Sequence, residues 1–274
     1  EGNDSLLGGA ANDTVFGGTE NDTILGSAGN DIVNGDENDD LIVWNSGDGN
    51  DTADGGTETD ELAINGSMST TAGDNFTVDN SSGNVRVQDG TGNVLGANMN
   101  FEVLSLNADA GADTVTVADI SAADVATVNI NGGAGADSLD ASAALKAVTL
   151  TGGTENDTIT GSNQADAIDG DSGDDSILGQ AGADTINGGS ENDTIQGDAD
   201  DDILNGDAGN DLLIWNNGDG NDAVNGGGDT DTQQVNGNTS ATTGDNFVVS
   251  DNLGNVSFQR TNFDVFTLDI DNVE

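Results

Sequence analysis

Residues 152–214 read GGTENDTIT GSNQADAID GDSGDDSIL GQAGADTIN GGSENDTIQ GDADDDILN GDAGNDLLI, which is seven rows of nine residues without an insertion. Every row opens with glycine, has an aspartate at position six and has an aliphatic residue at position eight. The aspartates are Asp157, Asp166, Asp175, Asp184, Asp193, Asp202 and Asp211. A period of nine fits neither a helix nor the simple alternation of a strand. Each row is therefore predicted to be one short strand and one glycine-rich turn.

Two consecutive rows are predicted to make one coil of a solenoid, with a single aliphatic side chain per row pointing inward. Equivalent aspartates of successive coils would then lie about 4.8 Å apart. Two carboxylates at about 5 Å repel each other by about 3 kcal/mol at an effective dielectric of 20. A hard divalent cation between the coils would remove this repulsion, and calcium prefers carboxylate and carbonyl oxygens. The spacing thus predicts calcium ions between stacked turns.

These rows resemble the nonapeptide GGxGxDxUx of RTX (repeats-in-toxin) proteins. The resemblance implies an all-β fold, a right-handed parallel β-roll or β-solenoid with calcium between stacked turns, here interrupted by β-hairpin excursions. It also implies secretion of an unfolded chain that folds when it meets calcium. The rows depart from the family at position four, where Glu155, Gln164 and Glu191 replace glycine. A glutamate there could add a metal ligand, but we expect it to face water.

The same pattern extends to both sides of this stretch. It starts at the beginning of the chain, skips Trp44 and Asn45 as a two-residue insertion, and recurs in the turns ADAGAD and GGAGAD. Trp44 is expected to fill the edge of the coil. The predicted metal ligands outside residues 152–214 are Asp4, Asp13, Asp22, Asp31, Asp40, Asp51, Asp60, Asp113, Asp137, Asp222 and Asp231. Pairs of adjacent aspartates on the same side of the coil predict about twelve calcium ions.

Five segments follow from where the period is present. The predicted segments are an RTX-type β-roll at 1–66, a β-hairpin excursion at 67–102, a wider β-solenoid at 103–151, a second β-roll at 152–237 and a second hairpin excursion at 238–274. The hairpin prediction rests on the alternation of polar and apolar residues in DNFTVDNSSGNVRVQD.

A longer repeat overlies the nine-residue one. LIVWNSGDGNDTADGG at 41 returns as LLIWNNGDGNDAVNGG at 212, an offset of 171 residues, and residues 1–102 correspond to about 172–274. Glu1 lies inside a row, which indicates that the chain is a segment of a longer tandem-repeat protein. We therefore expect copies of the chain to join end to end, in one chain or between neighbouring subunits.

The charge of the chain restricts its partners. The 274 residues include 52 acidic and three basic ones, for a formal net charge of −49, with no histidine, cysteine, tyrosine or proline. Such a composition predicts disorder unless cations are bound. It argues against nucleic acids and anionic membrane surfaces as partners. No stretch is long and apolar enough to span a bilayer.

Two functions remain open. The favoured one is a calcium-stabilised structural rod outside the cell or at its surface, such as an adhesin stalk, a surface layer or a filament. The alternative is a calcium-binding secretion or folding module of a secreted enzyme or toxin. An enzyme within the chain is not expected, because the usual acid–base and nucleophilic residues are nearly absent. Ice binding by repeated Thr and Asn is disfavoured, because position three of the rows is irregular.

Overall fold

The computed structural model describes residues 2–69, 73–81, 83–97, 100–121 and 123–236, together with the strand backbone of 247–252, 255–260 and 267–271. The chain divides into two compact units, Glu1–Thr149 and Leu150–Glu274. All regular elements in the described part of the chain are β-strands. Within that part, there is no helix with the length and apolar character needed to cross a membrane. The predicted all-β parallel solenoid is confirmed.

The first unit contains fourteen strands in two sheets. The strands are β1 (Ser5–Gly9), β2 (Thr14–Thr19), β3 (Thr23–Ser27), β4 (Ile32–Glu37), β5 (Leu41–Asn45), β6 (Asp51–Thr57), β7 (Glu61–Asn65), β8 (Asn75–Ser81), β9 (Asn84–Gln88), β10 (Val94–Ala97), β11 (Val103–Asn107), β12 (Thr114–Val117), β13 (Thr127–Ala134) and β14 (Ser138–Asp140). One sheet has the order β1-β3-β5-β7-β11-β13, and the other β2-β4-β6-β10-β9-β8-β12-β14. Odd and even strands therefore alternate between the two faces of each coil until the chain reaches β8.

The second unit is built in the same way. Its strands are β15 (Thr149–Thr154), β16 (Thr158–Thr160), β17 (Ala167–Ser172), β18 (Ser176–Ala181), β19 (Thr185–Ser190), β20 (Thr194–Ala199), β21 (Ile203–Ala208), β22 (Leu212–Asn216), β23 (Ala223–Asn225), β24 (Thr232–Asn236), β25 (Phe247–Asn252), β26 (Asn255–Arg260) and β27 (Thr267–Asp271). The sheet orders are β15-β17-β19-β21-β23-β27-β26-β25 and β16-β18-β20-β22-β24.

The core of each coil is a ladder of single aliphatic side chains. Ile159, Ile177, Ile195 and Leu213 are in register on one sheet of the second unit, and each is at most 2% exposed. The neighbouring residues in each strand are less buried, so one side chain per row contributes most of the apolar surface that is buried in the core. A core this narrow leaves much of the stability to the turns. Trp44 is 2% exposed, which agrees with the expectation that it fills the coil.

The duplication of 171 residues is visible in the strand register. Trp44 pairs with Ile64 between β5 and β7, and Trp215 pairs with Val235 between β22 and β24. In the hairpins, Val78 opposite Val87 corresponds to Val249 opposite Phe258. The two copies therefore share the pairing of these strands as well as their sequence. The predicted equivalence of residues 272–274 with 100–102 lies outside the described residues.

The hairpin predicted within 67–102 is present, but its place differs from the expected excursion. β8 and β9 pair antiparallel, β9 pairs antiparallel with β10, and β10 pairs parallel with β6. β8 in turn pairs parallel with β12. The segment is thus inserted into one sheet of the solenoid as three extra strands. The physical reason is that strands excluded from the sheet would leave the edges of β6 and β12 without hydrogen-bonding partners.

The wider solenoid predicted at 103–151 forms longer coils. β11 pairs in parallel with β13, and β12 with β14. The hydrogen-bonded pair Asp113 and Asp137 is separated by 24 residues, compared with 18 for most pairs in the rows of nine.

Candidate metal site

Aspartates of successive coils stack in ladders along the edges where strands turn. The backbone N–H of each donates to Oδ1 of the equivalent aspartate in the following coil, for example from Asp175 to Asp193 and from Asp193 to Asp211, each at 2.9 Å. The backbone carbonyl of the same aspartate accepts from the strand that follows, as between Thr194 N–H and the Asp175 oxygen at 2.8 Å. The backbone N–H and carbonyl groups of the aspartate at position six are therefore both hydrogen-bonded to the following coil.

The ladders contain the predicted aspartates on the predicted sides. In the first unit the bonded ladders are Asp4, Asp22, Asp40, Asp60 and Asp13, Asp31, Asp51. In the second unit they are Asp157, Asp175, Asp193, Asp211, Asp231 and Asp166, Asp184, Asp202, Asp222. Most of these residues are buried. Asp4 is exposed and Asp13 is half-buried.

One carboxylate oxygen of most ladder residues has no hydrogen-bond partner among the described residues. This oxygen is Oδ2, and the residues are Asp22, Asp31, Asp40, Asp60, Asp113, Asp175, Asp184, Asp193, Asp202, Asp211, Asp222 and Asp231. A buried polar atom without a partner costs about 1–3 kcal/mol, and more when it is charged. Because an Oδ2 atom without a partner recurs from coil to coil, these oxygens are candidate metal ligands.

Glycine at position one brings a backbone carbonyl close to this oxygen. At Gly17, Oδ2 of Asp22 and the carbonyl oxygen of Gly35 each lie 2.6 Å from where a Cβ atom would stand. The missing side chain thus leaves room for a carboxylate oxygen of one row beside the carbonyl of the next coil. Carboxylate and carbonyl oxygens together are the donor set that calcium prefers. The residues present therefore fit a calcium ion held by paired aspartates and glycine carbonyls.

Burial shifts the protonation of the ladder. It raises the pKa of Asp184, Asp193, Asp202 and Asp222 to about 7, against the opposing effect of the backbone N–H bonds, and neighbouring carboxylates raise it further. The same causes raise the pKa of Asp175 to about 6. Carboxyls with such pKa values are ionised at neutral pH only at a cost in free energy, which a bound cation would offset.

No group of three or more acidic side chains converges on one point anywhere in the described part of the chain. Each candidate site can therefore offer few carboxylates, and backbone carbonyls would have to complete the coordination. This agrees with a pattern in which each row has one aspartate at position six and one or two glycines.

Two ladder members were missed in the sequence. The backbone N–H of Asp60 donates to Oε2 of Glu102 at 2.8 Å, so Glu102 ends that ladder. The N–H of Asp74 donates to Oδ1 of Asp113, whose own N–H donates to Asp137. A usable signal was present, because Asp74 and Glu102 each precede a buried apolar residue, Phe76 and Leu104, by two positions.

Asp166 differs from its neighbours in the ladder. The backbone N–H of Ser162 donates to its Oδ2 at 2.5 Å, and the Ser162 hydroxyl donates to its Oδ1 at 3.0 Å. Ser162 is fully buried. Both oxygens of Asp166 are therefore already used by the protein, which leaves this member of the ladder the least suited to hold a cation.

The acidic residues at position four lie at the surface. Glu155 and Glu191 are exposed and adopt the left-handed backbone conformation, with φ of 77° and 76°. Oε2 of Glu191 accepts from the N–H of Gly173 in the preceding coil at 3.1 Å and from the Ser190 hydroxyl at 2.8 Å. This side chain links coils from the outside, and its carboxylate stays in contact with water, as expected.

The ladder geometry agrees with the comparison of this chain with known protein families. A family described as the RTX calcium-binding nonapeptide repeat, in four copies, matches residues 1–24, 7–42, 129–144, 149–177 and 178–213. Solved structures that match include the extracellular lipase LipA from Serratia marcescens, at 16% sequence identity and a TM-score of 0.26. That match covers 93% of this chain and 36% of the lipase chain. No curated protein matches the chain.

Proposed function

We propose that this chain, in which five stretches match the RTX calcium-binding nonapeptide repeat, is a section of a calcium-stabilised structural rod built from tandem repeats outside the cell. The observation that carries the proposal is the 171-residue duplication, in which strand pairs such as Trp44 with Ile64 recur as Trp215 with Val235. A repeat this long, with its pairing preserved, suits a protein whose length is itself useful, as in an adhesin stalk, a surface layer or a filament.

Calcium would act as the counter-ion that allows the coils to stack. The buried Oδ2 atoms, the neighbouring glycine carbonyls and a formal charge of −49 all support this part of the proposal. Calcium sites of extracellular modules are typically weak, with dissociation constants of about 10⁻⁴ to 10⁻³ M. The chain would then stay unfolded where calcium is scarce and fold where it is plentiful, which favours a location outside the cell.

Self-association is supported by two sheet edges of the second unit. Among the described strands, β24 and β25 are each the last of their sheet. Their counterparts at the offset of 171 are β7 and β8, which pair on that side with β11 and β12. We propose that the strands equivalent to β11 and β12 of a further copy, in the same chain or a neighbouring one, complete β24 and β25.

Chelation and electron microscopy test this proposal. Circular dichroism of the chain should show β-structure in millimolar calcium and a mostly disordered chain in a chelator, because the carboxylates lose their counter-ions while the aliphatic core is thin. Electron microscopy of the native protein should show long thin fibres that disappear in the chelator. Short monomers of uniform length from the native source would contradict the rod.

The second candidate is a calcium-binding module that assists secretion or folding of an attached enzyme or toxin. The RTX match supports this candidate as well, since such repeats are typical of secreted proteins. The sequence of the full-length gene separates the two, because a catalytic or pore-forming domain beside these repeats would favour the module. Neither candidate assigns catalysis to this chain, which contains no histidine or cysteine.

A further inference from the structure

Two turns of the wider coils contain no acidic ladder. They are residues 118–121 and 123–126, which follow β12, and residues 141–148, which follow β14. The position that aspartate occupies in the rows of nine, two residues before the inward aliphatic, is filled here by Ala126 and Val148. The first turn does contain Asp119 and Asp124, but both are exposed. Neither turn therefore has a buried aspartate at the position on which the candidate calcium sites depend.

Apolar packing and backbone hydrogen bonds hold these turns together instead. Six of their described residues are at most 5% exposed, namely Ile120, Ala123, Val125, Ala141, Ala144 and Val148. The N–H of Ile120 donates to the carbonyl of Ala144 in the following turn at 3.3 Å. Each turn is also closed internally, by Ala123 N–H on the Ile120 carbonyl at 3.0 Å and by Ala144 N–H on the Ala141 carbonyl at 2.8 Å.

A single cationic side chain joins the two turns. Nζ of Lys146, the only lysine of the chain, donates to the carbonyl oxygen of Ala123 at 2.7 Å and to that of Val125. In a chain with 52 acidic residues, the one ion pair among the described residues joins Arg86 to Asp79. Lys146 thus donates to main-chain oxygens of the adjacent turn, although that turn also contains Asp119 and Asp124.

We propose that Lys146 is a built-in cation that replaces calcium at this edge, and that residues 103–148 consequently retain their fold when calcium is removed. A bound ion can dissociate, whereas an ammonium group attached to the chain cannot. The opposite edge of the same coils still carries Asp113 and Asp137, so these coils contain one acidic ladder where the rows of nine contain two. Repulsion without calcium is therefore smaller here than in the flanking rows.

Hydrogen exchange of the whole chain, measured by mass spectrometry at neutral pH in calcium and in a chelator, tests this inference. In calcium, β11, β13, β17, β19 and β21 should all be protected. In the chelator, β11 and β13 should keep protection while β17, β19 and β21 exchange rapidly. Loss of protection in all five strands together would overturn the inference. This result would leave the proposal of a calcium-dependent rod unaffected, because that proposal requires only that the rows of nine unfold when calcium is removed.

Two variants assign the effect to the charge of Lys146. Lys146→Met keeps the length of the side chain and should speed exchange of β11 and β13 in the chelator by about tenfold or more, since hydrogen bonds from charged groups are worth about 1.5–3 kcal/mol. Lys146→Arg should restore part of the protection. Arg86→Met makes the same change in net charge on the hairpin and serves as the matched control.

An unchanged exchange pattern in Lys146→Met would overturn the role of the lysine. If that variant did not fold even in calcium, the exchange pattern of the unmodified chain would still decide whether residues 103–148 keep their fold without calcium.

Discussion

The backbone N–H of Asp184 donates to Oδ1 of Asp202 in the following coil at 2.9 Å, while Oδ2 of both residues has no hydrogen-bond partner among the described residues. Each buried carboxylate therefore has one oxygen committed to the neighbouring backbone and one that faces the glycine carbonyls. The first oxygen fixes the position of the carboxylate before any ion arrives. The second is the oxygen that a calcium ion would take.

Calcium should fill most of the gaps between stacked aspartates. About twelve ions are expected from the adjacent pairs of the four ladders, and they would cancel about half of the formal charge. A crystal structure grown in calcium, or equilibrium dialysis followed by metal analysis, measures the number. Occupancy of fewer than half of these positions would contradict the ladder as a calcium site. The position beside Asp166 is expected to be the weakest, because Ser162 already bonds to both oxygens of that carboxylate.

Asp184→Asn should have opposite effects with and without calcium. Asparagine keeps an Oδ1 that can accept the N–H of Asp166, but it removes one charge from the ladder. In a chelator the variant should be more stable than the unmodified chain, because repulsion is reduced. In calcium it should lose about two ions, those on either side of position 184. The amount of β-structure measured by circular dichroism in the chelator, and urea unfolding and calcium titration in calcium, measure these changes.

Asp174→Asn is the matched control for that experiment. Asp174 is exposed, and its carboxylate accepts from Asn192 at the surface. Other rows carry asparagine at this position, as at Asn156 and Asn210. The control should change stability by less than about 0.5 kcal/mol in either condition. Equal responses of the two variants would show that only net charge matters and that the buried ladder has no special role.

Acid should partly replace calcium. Burial raises the folded pKa of Asp184, Asp193, Asp202 and Asp222 to about 7 from the ordinary value of 3.8. The folded state therefore binds more protons than the unfolded state between these values, and the calcium-free chain should gain stability as pH falls through about 7. This contribution is complete only below the unfolded value and is lost as pH rises through the folded one. Circular dichroism in a chelator should show more β-structure at pH 5.5 than at pH 8.

In the presence of calcium, a lower pH should instead weaken folding, because protons compete with calcium for the same carboxylate oxygens. The calcium concentration at the midpoint of folding should rise as pH falls below about 7. A midpoint that does not change between pH 8 and pH 6 would argue that the buried aspartates are not the ligands.

Gly17→Ala should weaken calcium binding. Its Cβ atom would stand 2.6 Å from both Oδ2 of Asp22 and the Gly35 carbonyl oxygen, and would push apart the two donors. Gly18→Ala is the paired variant. Gly18 has open space around it but a φ of 108°, so alanine there should cost roughly 1–3 kcal/mol of stability through backbone strain. Calcium titrations should show a reduced affinity for Gly17→Ala alone, and thermal unfolding in calcium should show destabilisation of both variants.

The period of nine was sufficient to predict the coil, the inward aliphatic ladder and the stacking of the aspartates. Each of these follows from residues repeated at one spacing, and the register of Ile177 with Ile195 reproduces it. The wider coils were predictable only in outline, because Ala126 and Val148 replace the aspartate on one of their two edges. Nothing in the composition of ASAALKAV indicates that its lysine bonds to main-chain oxygens 21 and 23 residues earlier.

The position of the hairpin could not be predicted from local pattern. Alternation in DNFTVDNSSGNVRVQD identifies two antiparallel strands, and β8 and β9 confirm them. Which sheet edges they join depends on the free edges of β6 and β12, which are distant in sequence. For the same reason Asp74 and Glu102 were missed, since the hairpin separates each from the row with which it stacks.

The shared register of the two copies has a genetic consequence. From β4 to β7, a residue and its counterpart 171 positions later occupy equivalent places, as Asp31 bonded to Asp51 and Asp202 bonded to Asp222 demonstrate. Unequal crossing-over between two copies of the corresponding DNA would therefore join half of one coil to the matching half of another. The ladders would continue across the new junction. Versions of the protein made in this way would differ in length by whole repeats and would keep the same strand pairing on both sides of each junction.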